Sequence, residues 1–281
     1  MNITYGASML SFIPPNWKEE NVLYAIEHIA ANKFDLIELL LPHHDKVDTH
    51  KLKRHLQKYS LQVSCALNLD AETHIPTHPH EALDLIKKSL ETAATLGATF
   101  IGGVLHSGIG VFSGNPVTQE ELKIISEVLH KAAIYANNLG ITIGIEPINR
   151  YESYVCNTAN NVLALINSIG ESNLVVHLDT FHMNIEEANF HDPIIASGNK
   201  LKHLHITESN RGKPGDGTIN WSELFNALKT IDFEGNLVLE NFSSHVKGMQ
   251  SAVSLWQPSK LTAKELASQS LMYLKTHVQT L

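Results

Sequence analysis

Cysteine is scarce in this chain: of 281 residues only Cys65 and Cys156 carry a thiol. That is too few for a disulfide framework or a thiolate-bound structural zinc, and it fits a reducing, cytoplasmic compartment. No apolar run reaches membrane-spanning length, and Met1-Asn-Ile-Thr-Tyr5 enters a strand-like pattern without a basic, signal-like preface, so no membrane partner is expected. There is no basic run either. With 21 Lys and Arg against 29 Asp and Glu, and a formal charge of −8, nothing tracks a phosphate backbone and no nucleic-acid partner is expected. No Ser/Gly/Pro-rich linker divides the chain, and no glycine-rich dinucleotide fingerprint follows the first apolar run. What is present is ample core-forming material: with 43% hydrophobic residues, residues 1–281 read as a single large domain.

Short β-rich apolar runs fall near 2–8, 35–41, 61–67, 99–105, 141–146, 174–179, 201–206 and 236–240, and amphipathic helical patterns follow most of them. Eight strand-plus-helix units predict an α/β fold, the (β/α)8 TIM barrel. Thr118-Gln-Glu-Glu121 and Thr262-Ala-Lys-Glu265 are capping-box starts, Gly97, Gly140 and Gly170 are helix stops, and Pro79 opens a helix over 79–96. Two stretches lack this regularity. Residues 184–200 predict only a short sixth helix, and 241–261 show no periodicity, which makes either a candidate active-site lid.

Four residues that can ligate a metal, Glu146, Asp179, His205 and Glu240, each close one of the last four apolar runs. By subtraction they stand 33, 26 and 35 residues apart, the spacing of successive barrel units, so all four are expected at the same barrel end. Three carboxylates and one imidazole form a hard, mostly oxygen donor set suited to a single divalent ion, Mn²⁺, Mg²⁺ or Co²⁺, better than to a thiolate-bound structural zinc. Strand alternation places His177 and His203 one layer below. Both are read as polar groups inside the barrel, off the ligand list.

The segments around these residues are Glu146-Pro-Ile-Asn-Arg-Tyr-Glu152, Asp179-Thr-Phe-His-Met-Asn-Ile-Glu-Glu187, His205-Ile-Thr-Glu-Ser-Asn-Arg211 and Leu-Glu240-Asn-Phe242. They closely resemble the ketose 3-epimerases of the tagatose, allulose (psicose) and ribulose type, within the xylose-isomerase-like barrel superfamily. The resemblance runs from the first strand to Ser254-Leu-Trp256. It implies that Glu146, Asp179, His205 and Glu240 bind the ion and that Glu152, His182 and Arg211 hold the first three oxygens of an open-chain ketose. It further implies that Glu146 and Glu240 exchange the C3 proton from opposite faces through a cis-enediolate, their roles swapping with direction. Tyr5, Cys65 and His106 are weaker substrate-binding candidates: Tyr5 as a pocket aromatic, Cys65 beside the sugar, His106 near its far end. Arg150 is expected to brace a carboxylate. Relatives of this kind imply a homodimer or homotetramer.

One segment departs from the family. Where many relatives carry aromatics after strand four, this chain has Gly102-Gly-Val-Leu-His-Ser-Gly-Ile-Gly-Val-Phe112, which leaves the preferred sugar open, phosphorylated or not. An aldose–ketose isomerase or epimerase acting on a phosphorylated sugar or keto-acid uses the same enediolate chemistry. A metal-dependent abasic-site endonuclease on the same barrel would require further His and Asp ligands and a cationic groove.

Overall fold

The computed structural model describes residues 1–43 and 47–279. Among them, eight strands pair in parallel in chain order and close on themselves: β1 (Asn2–Ser8), β2 (Leu36–Leu40), β3 (Gln62–Ala66), β4 (Phe100–Gly102), β5 (Thr142–Ile145), β6 (Leu174–Asp179), β7 (Leu201–Ile206) and β8 (Glu234–Leu239). Burial on both faces explains the near-continuous apolar sequence, and every residue of β6 is buried. Around the barrel lie α1 (Glu19–Ala31), α2 (Thr49–Lys58), α3 (Pro79–Leu96), α4 (Gln119–Asn138), α5 (Ala159–Ile169), α6 (Thr180–Glu186), α7 (His191–Ser197), α8 (Trp221–Thr230), α9 (Met249–Ala252) and α10 (Ala263–Gln279). No helix among the described residues is long and apolar enough to cross a membrane.

Local signals act where the sequence puts them. Pro79 opens α3, which ends on left-handed Gly97 with φ 92°, the conformation that costs glycine least. Thr118 and Glu121 cap α4 reciprocally, and the pair Thr262 and Glu265 does the same before α10. Two expectations are corrected. β4 ends at Gly102 instead of 105, because the chain turns at Gly103 with φ 112°, too close to the Leu67 carbonyl to admit a Cβ. Residues 184–200 hold three short helical pieces, the end of α6, all of α7 and a 3-10 turn over Gly198–Lys200, and fully buried Ile194 anchors α7 in the helix layer. The 241–261 stretch is loop apart from α9, itself pinned by fully buried Met249.

The barrel interior is polar where branched apolar side chains usually fill it. His177 pairs in register with His203, and His203 with Asn236; one layer higher, Asp179 pairs with His205. Phe100 stacks on His203 with centroids 4.5 Å apart, and His177 meets His203 edge-on at 4.5 Å. Glycine makes this packing possible. A Cβ on Gly144 would lie 2.5 Å from Phe100 Cζ, and one on Gly102 would lie 2.7 Å from His177 Nδ1. Gly144→Ala is therefore expected to destabilise the protein by about 1–3 kcal/mol through overpacking, read as a lower urea midpoint at unchanged slope; an unaltered midpoint would show that the ring layer can shift.

Candidate active site

The carboxyl ends of β5 to β8 converge on one nitrogen. His205 Nδ1 lies 3.4 Å from Glu146 Oε1 and 3.5 Å from Glu240 Oε2. Asp179 uses Oδ1 to cap α6, accepting from Phe181 N at 2.8 Å, and turns Oδ2 toward the cluster. Asp179 is fully buried, and Glu146 and His205 nearly so. Burial pushes Glu240 up to about 7 and lifts Glu146 above the ordinary carboxylate range. Burial would raise Asp179 as well, but the Arg211 charge beside it wins and holds it low.

Arg211 is the cation facing this acidic group. Its Nη1 donates to Asp179 Oδ2 at 2.6 Å and to Glu240 Oε2 at 2.9 Å. The guanidinium lies over Phe181, 4.1 Å from the ring centroid, and 5.2 Å from that of Phe242. The backbone presenting it is left-handed, φ 61°, and stays so because the loop is tied down. Buried Glu208 accepts from the amides of Ser209, Gly215 and Ile219 and from Trp221 Nε1, while Phe242 N donates to the Arg211 carbonyl. His182 accepts from Asn149 N through Nδ1, so a neutral ring carries its hydrogen on Nε2. Burial lowers His182 to about 3, so it enters the site as a neutral ring, its Nε2 lying 3.4 Å from Arg211 Nη2 and 3.6 Å from Asp179 Oδ2. Glu152 is oriented by Asn149 Nδ2 at 2.8 Å.

The donor set fits a divalent ion. Glu146, Asp179 and His205 offer ligand atoms within 4.8 Å of one another, and His205 Nδ1 is buried without a hydrogen-bond partner. Its other nitrogen, Nε2, meets Glu38 Oε1 at 2.8 Å; burial opposes a charge on the ring, but the carboxylates of Glu38, Glu240 and Glu146 outweigh it and hold His205 well above the ordinary imidazole range, so Nδ1 is the position whose proton a bound ion would replace. The lower histidines, His177 and His203, also offer nitrogens within 4.8 Å of one another and of His205. His177 Nδ1 accepts from Gly103 N at 3.2 Å and His203 Nε2 lies 2.9 Å from Glu38 Oε2, which leaves hydrogen on Nε2 of each.

Three weaker candidates fall outside the cluster. Tyr5 pairs in register with Leu237, one residue off the inward face of Gly6 and Val238, and its ring lies under Lys275 of α10 at 5.3 Å. Cys65 pairs with Leu39 and Ile101, opposite the face that carries Glu38 and Ser64, and is fully buried in the apolar core. His106 is fully buried with both nitrogens occupied, Nε2 on the Glu146 carbonyl at 3.1 Å and Nδ1 on Ser107. It steadies the backbone of Glu146 and offers a substrate nothing. Arg150 braces Glu186, through Nε at 2.9 Å and Nη2 at 2.9 Å, not Glu146. Sequence reasoning gave no role to Glu38 or Glu208. Glu38 had a signal, as the lone acid inside Leu36-Ile-Glu-Leu-Leu40.

A parallel eightfold barrel with an acidic cluster on successive strand ends defines a sugar isomerase-type architecture, and the xylose isomerase-like TIM barrel family model matches residues 26–277. The chain belongs to that family and, within it, to the ketose 3-epimerases, which are isomerase-type enzymes. It is 31% identical to an L-ribulose 3-epimerase of Methylomonas sp. (strain DH-1) over 97% of both chains. It is 30% identical to a ketose 3-epimerase of Arthrobacter globiformis, covering 91% of this chain and 90% of that one. A crystal structure of D-allulose 3-epimerase from Methylomonas sp. in complex with D-allulose superposes with a TM-score of 0.92 at 30% identity, covering 98% and 97% of the two chains.

Proposed function

We propose that this protein is a metal-dependent ketose 3-epimerase acting on a free ketose, with residues 1–281 as one catalytic domain. The observation that carries the reading is the convergence of two buried glutamates from different strands, Glu146 after β5 and Glu240 after β8, on the same unpartnered His205 nitrogen. Glu146, Asp179, His205 and Glu240 would hold one Mn²⁺ or Co²⁺, with Mg²⁺ the alternative. When bound, such an ion supplies positive charge to oxygens that become anionic during reaction.

The chain's own groups supply the rest. Inverting C3 requires a base on one face and an acid on the other, and Glu146 and Glu240 are the two carboxylates that can fill these places. Burial raises the proton affinity of both in the metal-free chain, and a bound cation would lower it again. His182 presents a neutral Nε2–H donor, Arg211 a rigid guanidinium held between aromatic faces, and Glu152 an acceptor, so O1 to O3 of an open-chain ketose meet complementary partners. Allulose/fructose, tagatose/sorbose and ribulose/xylulose pairs are the substrates to test. We further propose a homodimer or homotetramer, checked by light scattering, and a cytoplasmic location, consistent with two buried, unpaired cysteines.

The test is incubation with Mn²⁺ and a panel of ketoses and ketose phosphates in D₂O, with products read by NMR. Deuterium at C3 of an inverted ketose is expected. Label at C1 or C2 with an aldose product would point to aldose–ketose isomerisation, and no exchange with any sugar would overturn both readings.

A further inference from the structure

Glu38 is an acid where the fold should not tolerate one. It sits at the centre of β2 between leucines and isoleucine, is 1% exposed, and an isolated carboxylate there would carry a large desolvation penalty. Its partners lie on β7, reached from across the barrel. Oε1 is 2.8 Å from His205 Nε2 and Oε2 is 2.9 Å from His203 Nε2. One carboxylate thus spans two layers of the barrel interior, joining the floor, where His203 stacks on Phe100, to His205 at the mouth.

The consequence for His205 follows from imidazole chemistry. Both ring nitrogens of His205 face carboxylates, but the contact at Nε2 is the short one, 2.8 Å against 3.4 and 3.5 Å at Nδ1, so Glu38 holds a hydrogen on Nε2 and Nδ1 is the nitrogen left to give its lone pair to an ion bound between Glu146 and Glu240. The same contact fixes the ring's rotation and makes Nδ1 a stronger donor. Glu38 offers an oxygen within 4.8 Å of ligand atoms of His205 and Glu240, but its two oxygens lie against His205 Nε2 at 2.8 Å and His203 Nε2 at 2.9 Å, which leaves Nδ1 of His205 to the ion. Were Glu38 only a counter-charge for the barrel floor, His203 would suffice as its partner, and His205 would have no need to turn Nε2 downward.

We propose that Glu38 is a positioning residue of the metal site: it sets the tautomer and orientation of His205, and thereby the site's affinity for a divalent ion, without touching ion or substrate. This rests on the metal-site reading above. The test is binding of Mn²⁺ to full-length wild type and Glu38→Gln, with free Mn²⁺ followed by electron paramagnetic resonance and the melting temperature of each metal-free protein recorded alongside. The expected result is an apparent Kd raised about 10- to 100-fold in the variant, with the metal-free melting temperatures closely matched. Equal affinities, or a drop in metal-free melting temperature with affinity unchanged, would overturn the role of Glu38 alone. A wild type that takes up no Mn²⁺ would overturn the metal site beneath it. Should Glu38→Gln fail to fold, the wild type still decides. Histidine ¹⁵N spectra of the Mg²⁺-loaded protein are expected to show His205 protonated on Nε2, and protonation on Nδ1 would overturn the proposal.

Discussion

Glu146→Gln and Glu240→Gln are each expected to lose epimerisation by about 10³-fold or more, the upper range for removing a positioned general acid or base. The substitution keeps shape and one oxygen for an ion, so the barrel ends should hold; what disappears is one negative charge and the ability to take or return a proton. The two variants should also fail differently. An enzyme with one proton-active carboxylate on each face of C3 retains, after loss of one, the capacity to remove and replace the proton on the other. In D₂O each variant is therefore expected to exchange the C3 hydrogen of one epimer without inverting it and to leave the other epimer unlabelled, with the preference reversed between the two variants. Wild-type inversion in either variant would remove that glutamate from the chemistry. Exchange of both epimers by both variants would mean that another group, not one of this pair, moves the proton.

The parts of this site that were legible in the sequence are those whose geometry is local. Glu146, Asp179, His205 and Glu240 stand out because each ends an apolar run, and in a parallel barrel a run's end is also the site's end. The capping pairs of Thr118 and Thr262 are three-residue devices and were readable for the same reason. Glu38 shows as a lone acid in an apolar run, but its role does not, since its partner His205 is 167 residues away and only barrel closure brings β2 within reach of β7. Tyr5 and Cys65 show the reverse error. The resemblance alone puts both in the pocket, yet in a strand one residue decides the face, and that register is set by β1 against β8 and by β3 against β2. Cys65 falls outward because Ser64 falls inward. His106 lies at the right height but is consumed by the backbone of Glu146, a use that no spacing announces. The short β4 follows from the Gly103 turn, a positive φ that glycine permits but that its presence in Gly102-Gly-Val does not demand.

Exhaustive chelation is expected to reduce turnover by roughly a hundredfold or more, since several kcal/mol of charge stabilisation is at stake, and to lower the melting temperature. The stability effect has its source in the site's own charges. Glu146, Asp179 and Glu240 are carboxylates crowded round one imidazole, and two unit charges 4 Å apart interact by about 4 kcal/mol at an effective dielectric of 20. Arg211 offsets part of this through Asp179 and Glu240, but it contacts neither oxygen of Glu146, whose neighbours are His205 and His177. An ion bound only by the folded chain stabilises it by about 2.7 kcal/mol at a hundred times its Kd. For a chain of this size that corresponds to a rise of roughly 5–10 °C on adding Mn²⁺ or Co²⁺ to the metal-free protein, measured by differential scanning calorimetry. Arg211→Ala should enlarge the rise, because the metal-free protein then loses the cation that holds Asp179 and Glu240 together, while the loaded protein keeps its ligands. A metal-free protein that melts where the loaded one does and turns over at full rate would show that Arg211 and His205 alone balance these carboxylates, and the cluster would then be an ion-pair network, not a metal centre.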